Sequence, residues 1–179
     1  METSWLLLTY KVPAEPAKKR IALWRRLKGM GAVYIQNGVC MLPRTDDHLR
    51  RLKMAENEIA EMDGQSVLLE TVALDRSQEE KVLGRFKADR DEQYLEFLDK
   101  CVDFTAEIAK ERAANHFTYA ELEENDADLK KLEGWLERIR KLDFYGAPRA
   151  GEAAAALREC TALLESYAQQ VFESHDENR

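Results

Sequence analysis

Six cations crowd residues 17–30: Lys18, Lys19, Arg20, Arg25, Arg26 and Lys28. Lys18 and Arg25 are seven positions apart, as are Lys19 and Arg26. That spacing is two helical turns, so each pair lies on one side of a helix. The result is a cationic stripe whose length and charge suit phosphate groups. Arg44, Arg50 and Arg51 extend it. These nine side chains are the candidate nucleic-acid or anion-binding set. The competing reading is a solvated face whose charges pair within the chain, as runs of like charge commonly do.

Other chemistry is thin. His48, His116 and His175 are isolated and share no metal-ligand spacing. Cys40, Cys101 and Cys160 form no C-x-x-C motif and no complete disulfide framework. Cys101 and Cys160 fall on apolar stripes and Cys40 adjoins Met41, so all three read as core thiols. Glu121, Glu123, Glu124, Asp126 and Asp128 are crowded enough to suggest a cation site, but they also suit a solvated helix start favoured by the dipole. Arg20 and Trp24 are four apart, which would let the guanidinium lie over the indole, yet Trp24 is expected in the core. There is no Ser-His-acid pattern, no Gly-rich phosphate loop and no flavin or nicotinamide motif. Where a metal-dependent nuclease of the topology inferred below would need an Asp, at the end of the first strand, stand Tyr10 and Lys11. The expectation is a protein without catalytic residues, metal or cofactor.

The chain has 179 residues, 45% hydrophobic and 34% charged, with a formal net charge of −7. That is too apolar for a disordered chain and too charged for a membrane protein. The charge is uneven. Residues 1–53 hold eleven basic side chains against four acidic ones, a local net of +7, while residues 54–179 carry −14. A basic N-terminal third on an acidic protein points to a polyanionic partner. No signal peptide is evident at the start, and the widely spaced cysteines suit a reducing, cytoplasmic setting.

The elements that must present the stripe follow from periodicity. Trp5-Leu6-Leu7-Leu8-Thr9-Tyr10 reads as a buried strand, and Ala17–Met30 as a helix with Ala17, Ile21, Trp24 and Leu27 inward and Leu23 beside them. Residues 32–35 and 39–42 flank Gln36-Asn37-Gly38, a tight-hairpin signal because Asn and Gly both tolerate positive φ. Thr45 caps a second helix reaching Met62, and Ser66–Ala73 is a fourth strand. The order β-α-β-β-α-β is ferredoxin-like, with strands one and three central and apolar on both faces. Helices on one side leave the other exposed, so the C-terminal half or a second copy of the chain must cover it. Ser77-Gln78-Glu79-Glu80 carries a capping-box signature, and Gly84 marks a bend or break beyond it. Apolar stripes through Tyr94–Ile108, Leu122–Ile139 and Ala153–Val171 then form a three-helix bundle, with Asn125 at a core position. The fold class is α+β: a ferredoxin-like unit over residues 1–75 and a helical bundle over 76–179 packed on it.

The ordered set Trp5-Leu6-Leu7-Leu8, Pro13-Ala14-Glu15-Pro16-Ala17, Arg20, Trp24-Arg25-Arg26-Leu27-Lys28, Gly31-Ala32 and Asn37-Gly38-Val39-Cys40-Met41-Leu42-Pro43 resembles the N-terminal domain of ChrB-type chromate resistance proteins. Phe117-Thr118-Tyr119-Ala120-Glu121-Leu122-Glu123-Glu124, Leu132-Glu133-Gly134-Trp135-Leu136 and Asp143-Phe144-Tyr145-Gly146-Ala147-Pro148 continue the resemblance over nearly the whole chain. It implies a bacterial cytoplasmic protein linked to chromate resistance, often a chromate-responsive transcriptional regulator of an efflux operon. Full-length members carry a further C-terminal domain. On this reading the basic helix contacts DNA, and chromate or another oxyanion is a second ligand of the basic surface. The alternative is a homodimeric interaction module without direct DNA binding. Neither reading involves a membrane.

Overall fold

The computed structural model describes residues 3–176. It is a mixed α+β protein with a four-stranded antiparallel sheet and five helices. In chain order these are β1 (Ser4–Lys11), α1 (Ala17–Gly29), β2 (Val33–Gln36), β3 (Val39–Pro43), α2 (Asp46–Glu61), β4 (Gln65–Val72), α3 (Arg76–Ala113), α4 (Tyr119–Leu142) and α5 (Ala150–Asp176). The chain forms two compact units, the first running to Asp89 and including Leu142–Tyr145, the second comprising Arg90–Lys141 and the residues from Gly146 onward.

In the first unit the sheet order is β2-β3-β1-β4, which puts β1 and β3 in the centre. Leu6 pairs with Leu42 and Leu8 with Cys40, and these alternate residues point to one face. They pack on Leu23 and Leu27 of α1 and on Leu52, Ala55 and Ile59 of α2, all fully or nearly fully buried. Each such Leu contributes about 1.5–3 kcal/mol by leaving water. On the opposite face Trp5, Val33 and Met41 pack against Phe86 of α3. Partly buried Val82, Leu83, Phe144 and Tyr145 join them, and the Trp5 indole donates to the Tyr145 hydroxyl at 3.0 Å. The beginning of α3 therefore supplies the cover this face requires. Its cover stops short of β4, an edge strand whose Val67 and Leu69 are half exposed.

Three local expectations change. The inward stripe of α1 is Leu23 and Leu27, whereas Ile21 and Trp24 are 45% and 49% exposed. One helix offered two apolar spacings, and the pair four residues apart is the one buried in a common cluster with Leu6 and Leu8. α3 starts at Arg76, where the Asp75 carboxylate accepts from the Gln78 amide at 3.0 Å, so the cap lies two residues before Ser77. The helix also runs unbroken through Gly84. A lone glycine weakens a long helix without ending it when the flanking turns are packed. Thr45 does cap α2, its hydroxyl accepting from the His48 amide at 3.0 Å.

The second unit has one apolar core. Tyr94, Phe97, Cys101, Phe104 and Ile108 of α3 meet Leu129, Leu132, Leu136 and Ile139 of α4 and Cys160, Leu164, Tyr167 and Val171 of α5. Thr118 caps α4 by accepting from the Glu121 amide at 3.2 Å. Asn125 is buried among the core positions of α4.

Candidate functional site

α1 presents three different sides. Leu23 and Leu27 face the sheet. Arg26 reaches α2, where it pairs with Glu58. Arg20, Trp24 and Lys28 recur every four residues on the flank toward the β2–β3 hairpin and line a cleft of about 700 Å³ with Ile21. Its other walls are Tyr10 and Lys11 at the end of β1, Val12 just beyond it, Tyr34 from β2, and the hairpin tip Asn37-Gly38.

The hairpin tip is held where the cleft needs it. Gly38 sits at φ +74°, and a Cβ there would lie 2.5 Å from the Tyr10 carbonyl oxygen. The Tyr10 amide donates to the Gly38 carbonyl at 2.8 Å, tying the tip to β1. Asn37 keeps negative φ, and the pairing slips between Tyr34 and Gln36. The turn is therefore a bulged one, with positive φ at Gly38 alone.

Tyr10 and Tyr34 both line the cleft, and their hydroxyls lie 2.6 Å apart with the rings edge to face. Burial pushes both hydroxyl pKa values above the ordinary tyrosine value; for Tyr34 the bond to Tyr10 adds to the shift. Both stay protonated at neutral pH. A pair of hydroxyls carries two protons and uses one in the shared bond, which leaves the second for an acceptor in the cleft. Three cations, Lys11, Arg20 and Lys28, line the same space with no carboxylate among the lining residues. Cations and a neutral hydroxyl donor are groups with the chemistry to bind an anion, and the open indole beside them is an apolar platform.

The nine cations singled out from the sequence divide into two groups. Lys28 pairs with Asp89 at 3.2 Å, Arg44 with Asp46 and Glu70 at 3.1 and 3.2 Å, Arg51 with Asp47 at 3.9 Å, and Arg26 and Arg50 with Glu58 and Asp47. These five carry local neutralisation. Among the described residues Lys18, Lys19, Arg20 and Arg25 make no ion pair, and all four are exposed on α1. The cationic surface open to a partner is therefore the helix itself, with Arg20 at its border with the cleft.

The remaining candidates are placed as follows. His48 is buried, with Nδ1 2.9 Å from the Pro43 carbonyl and its ring edge-on to Phe144. Cys40, Cys101 and Cys160 are buried free thiols. Burial raises Cys40 and Cys101 to about 12, and Cys160 in the same direction. Asp126 and Asp128 pair with Lys130 and Lys131, while the Glu121 carboxylate is brought to Glu107 and Glu111 of α3. Sequence reasoning missed Tyr10, Lys11, Tyr34 and the open placement of Trp24. The available signal was the four-residue beat of Arg20, Trp24 and Lys28, which sets an aromatic between two cations.

A family model described as "Protein ChrB, N-terminal" matches residues 20–178. Protein ChrB of Cupriavidus metallidurans is 25% identical over 168 residues, covering 92% of this chain and 47% of that protein. The chain thus spans about half the length of the curated relative it matches. Among the described residues no helix is long and apolar enough to cross a membrane.

Proposed function

The chain belongs to the ChrB N-terminal family, a chromate-resistance-associated family, and from that premise we propose that it is a non-enzymatic, cytoplasmic regulator or regulator module that binds duplex DNA through α1. The observation that carries this reading is the row of exposed cations Lys18, Lys19, Arg20 and Arg25 with no ion pair among the described residues. Such side chains neutralise phosphates and release counterions without first breaking a salt bridge. Chromate, a dianion, acts as the effector by binding one of two protein states more tightly, since a ligand with equal affinity for both shifts nothing. We read the first unit as ferredoxin-like, supported by the strand order β2-β3-β1-β4 and the βαββαβ succession, and α3, α4 and α5 as a three-helix bundle, supported by the apolar core they share. The test is fluorescence anisotropy on duplex DNA from upstream of the protein's own gene. Binding that strengthens as salt falls and weakens on adding chromate is expected. Affinity indifferent to ionic strength would sink the DNA reading.

A second reading, a homodimeric interaction module, rests on β4. It is an edge strand, its Val67 and Leu69 are half exposed, and Leu7 beside them is only partly buried. Exposed apolar edges of this kind pair readily with another chain.

A further inference from the structure

We propose that the cleft between α1 and the β2–β3 hairpin binds a mononucleotide, with the base laid on Trp24 and the phosphate held by Arg20 and Lys11. The inference does not depend on duplex binding by the outer cations of α1.

Trp24 is the first reason. Half of a large apolar side chain stands in water on a helix whose core contacts are already made by Leu23 and Leu27. The sheet gains little from it, while an open indole is a ready platform for a flat ring, and every nucleobase has one. Charge is the second. Arg20 and Lys11 make no ion pair among the described residues, and both line the cleft, whereas Lys28 beside them shares its charge with Asp89. A guanidinium takes two phosphate oxygens at once, which gives orientation as well as attraction. The third is the uncommitted proton of the Tyr10–Tyr34 pair, a neutral donor for a carbonyl, ring nitrogen or sugar oxygen. Size agrees: about 700 Å³ lies within the roughly 300–1,000 Å³ typical of small-molecule sites. An inorganic oxyanion would use the cations and leave the indole idle. A ligand that uses both walls carries a flat ring and a phosphate together.

The experiment is calorimetric titration of the full chain with AMP, ribose 5-phosphate, adenosine and inorganic phosphate as separate probes. AMP is expected to bind at least tenfold more tightly than any of the three fragments. Trp24→Ala should weaken AMP about 5- to 150-fold, the range expected for losing one base–aromatic stack, and leave ribose 5-phosphate unchanged. Trp24→Phe should restore most of the loss, and Arg20→Ala should weaken AMP and ribose 5-phosphate alike. The proposal is overturned if AMP shows no binding at 1 mM, if ribose 5-phosphate or inorganic phosphate binds as well as AMP, or if Trp24→Ala binds AMP like the parent. Duplex DNA measured in parallel separates the two ideas, because loss of AMP binding with DNA affinity retained, or the reverse, condemns one alone.

Discussion

Replacing Lys18, Lys19 and Arg25 together by Ala removes three of the four α1 cations that make no ion pair among the described residues, and leaves the sheet-facing Leu23 and Leu27 untouched. For B-DNA the logarithm of the binding constant falls with the logarithm of salt at about −0.9 per phosphate neutralised. Four contacts from one protomer give a slope of roughly −3.6, so the parent should lose about 150-fold in affinity between 50 and 200 mM salt. The triple variant keeps one contact, giving a slope near −0.9 and a loss of about 3- to 4-fold. The control is Arg50→Ala with Arg51→Ala. Both arginines already pair with Asp47, whose carboxyl is held below its ordinary value first by the Arg50 hydrogen bond. Engaging DNA through them would first break those pairs, so this double variant should keep the parental slope. Anisotropy titrations at four salt concentrations give all three slopes. A triple variant with the parental slope, or a control that loses as much, would refute the division into open and neutralised cations.

Three further outcomes are expected. The buried thiols of Cys40 and Cys101 rise from 9.0 to about 12, so between these values the unfolded chain gives up protons that the native state keeps, and stability must fall as pH climbs. Each thiol adds at most about 1.4 kcal/mol per pH unit above 9; urea midpoints from pH 8 to 10 should therefore decline less steeply in Cys40→Ala, and an identical decline would contradict the assignment. Gly38→Ala puts a Cβ against the Tyr10 carbonyl in a left-handed backbone and should cost about 1–2 kcal/mol from the backbone alone; unchanged hydrogen-exchange protection at the Tyr10 amide would show that the hairpin tip does not depend on it. Leu69→Lys places a charge on the open edge strand and should convert a sedimenting dimer to monomer; a parent that sediments as monomer removes the interaction-module reading.

The sheet was legible because its signals are local. Alternation along Trp5–Leu8 and Val39–Leu42 assigned both faces correctly, and Thr45 marked the start of α2 through its own hydroxyl. The facing of α1 was not legible. Ile21 with Trp24 and Leu23 with Leu27 both satisfy helical spacing, and only the residues across the interface decide which stripe is buried. The cap of α3 was misplaced for a similar reason. Asp75 and Ser77 both suit an N-cap, and position alone does not rank them.

The same reasoning separates the charge pattern from the charge surface. A sequence fixes where nine cations stand along the chain; their effective charge depends on acids that folding delivers from far away. Glu58 reaches Arg26 across 32 residues and Asp89 reaches Lys28 across 61. A basic helix packed beside acidic neighbours is neutralised on the sides it turns toward them and keeps its charge on the side it does not. On α1 that leaves Lys18 and Arg25 outermost and Arg20 beside the indole, so the helix offers phosphate contacts along its exposed side and a distinct aromatic cleft on its flank. Two anion surfaces on one helix, one flat and one concave, meet at Arg20, so duplex and mononucleotide share that single contact, and Arg20 is the one residue whose replacement should weaken both.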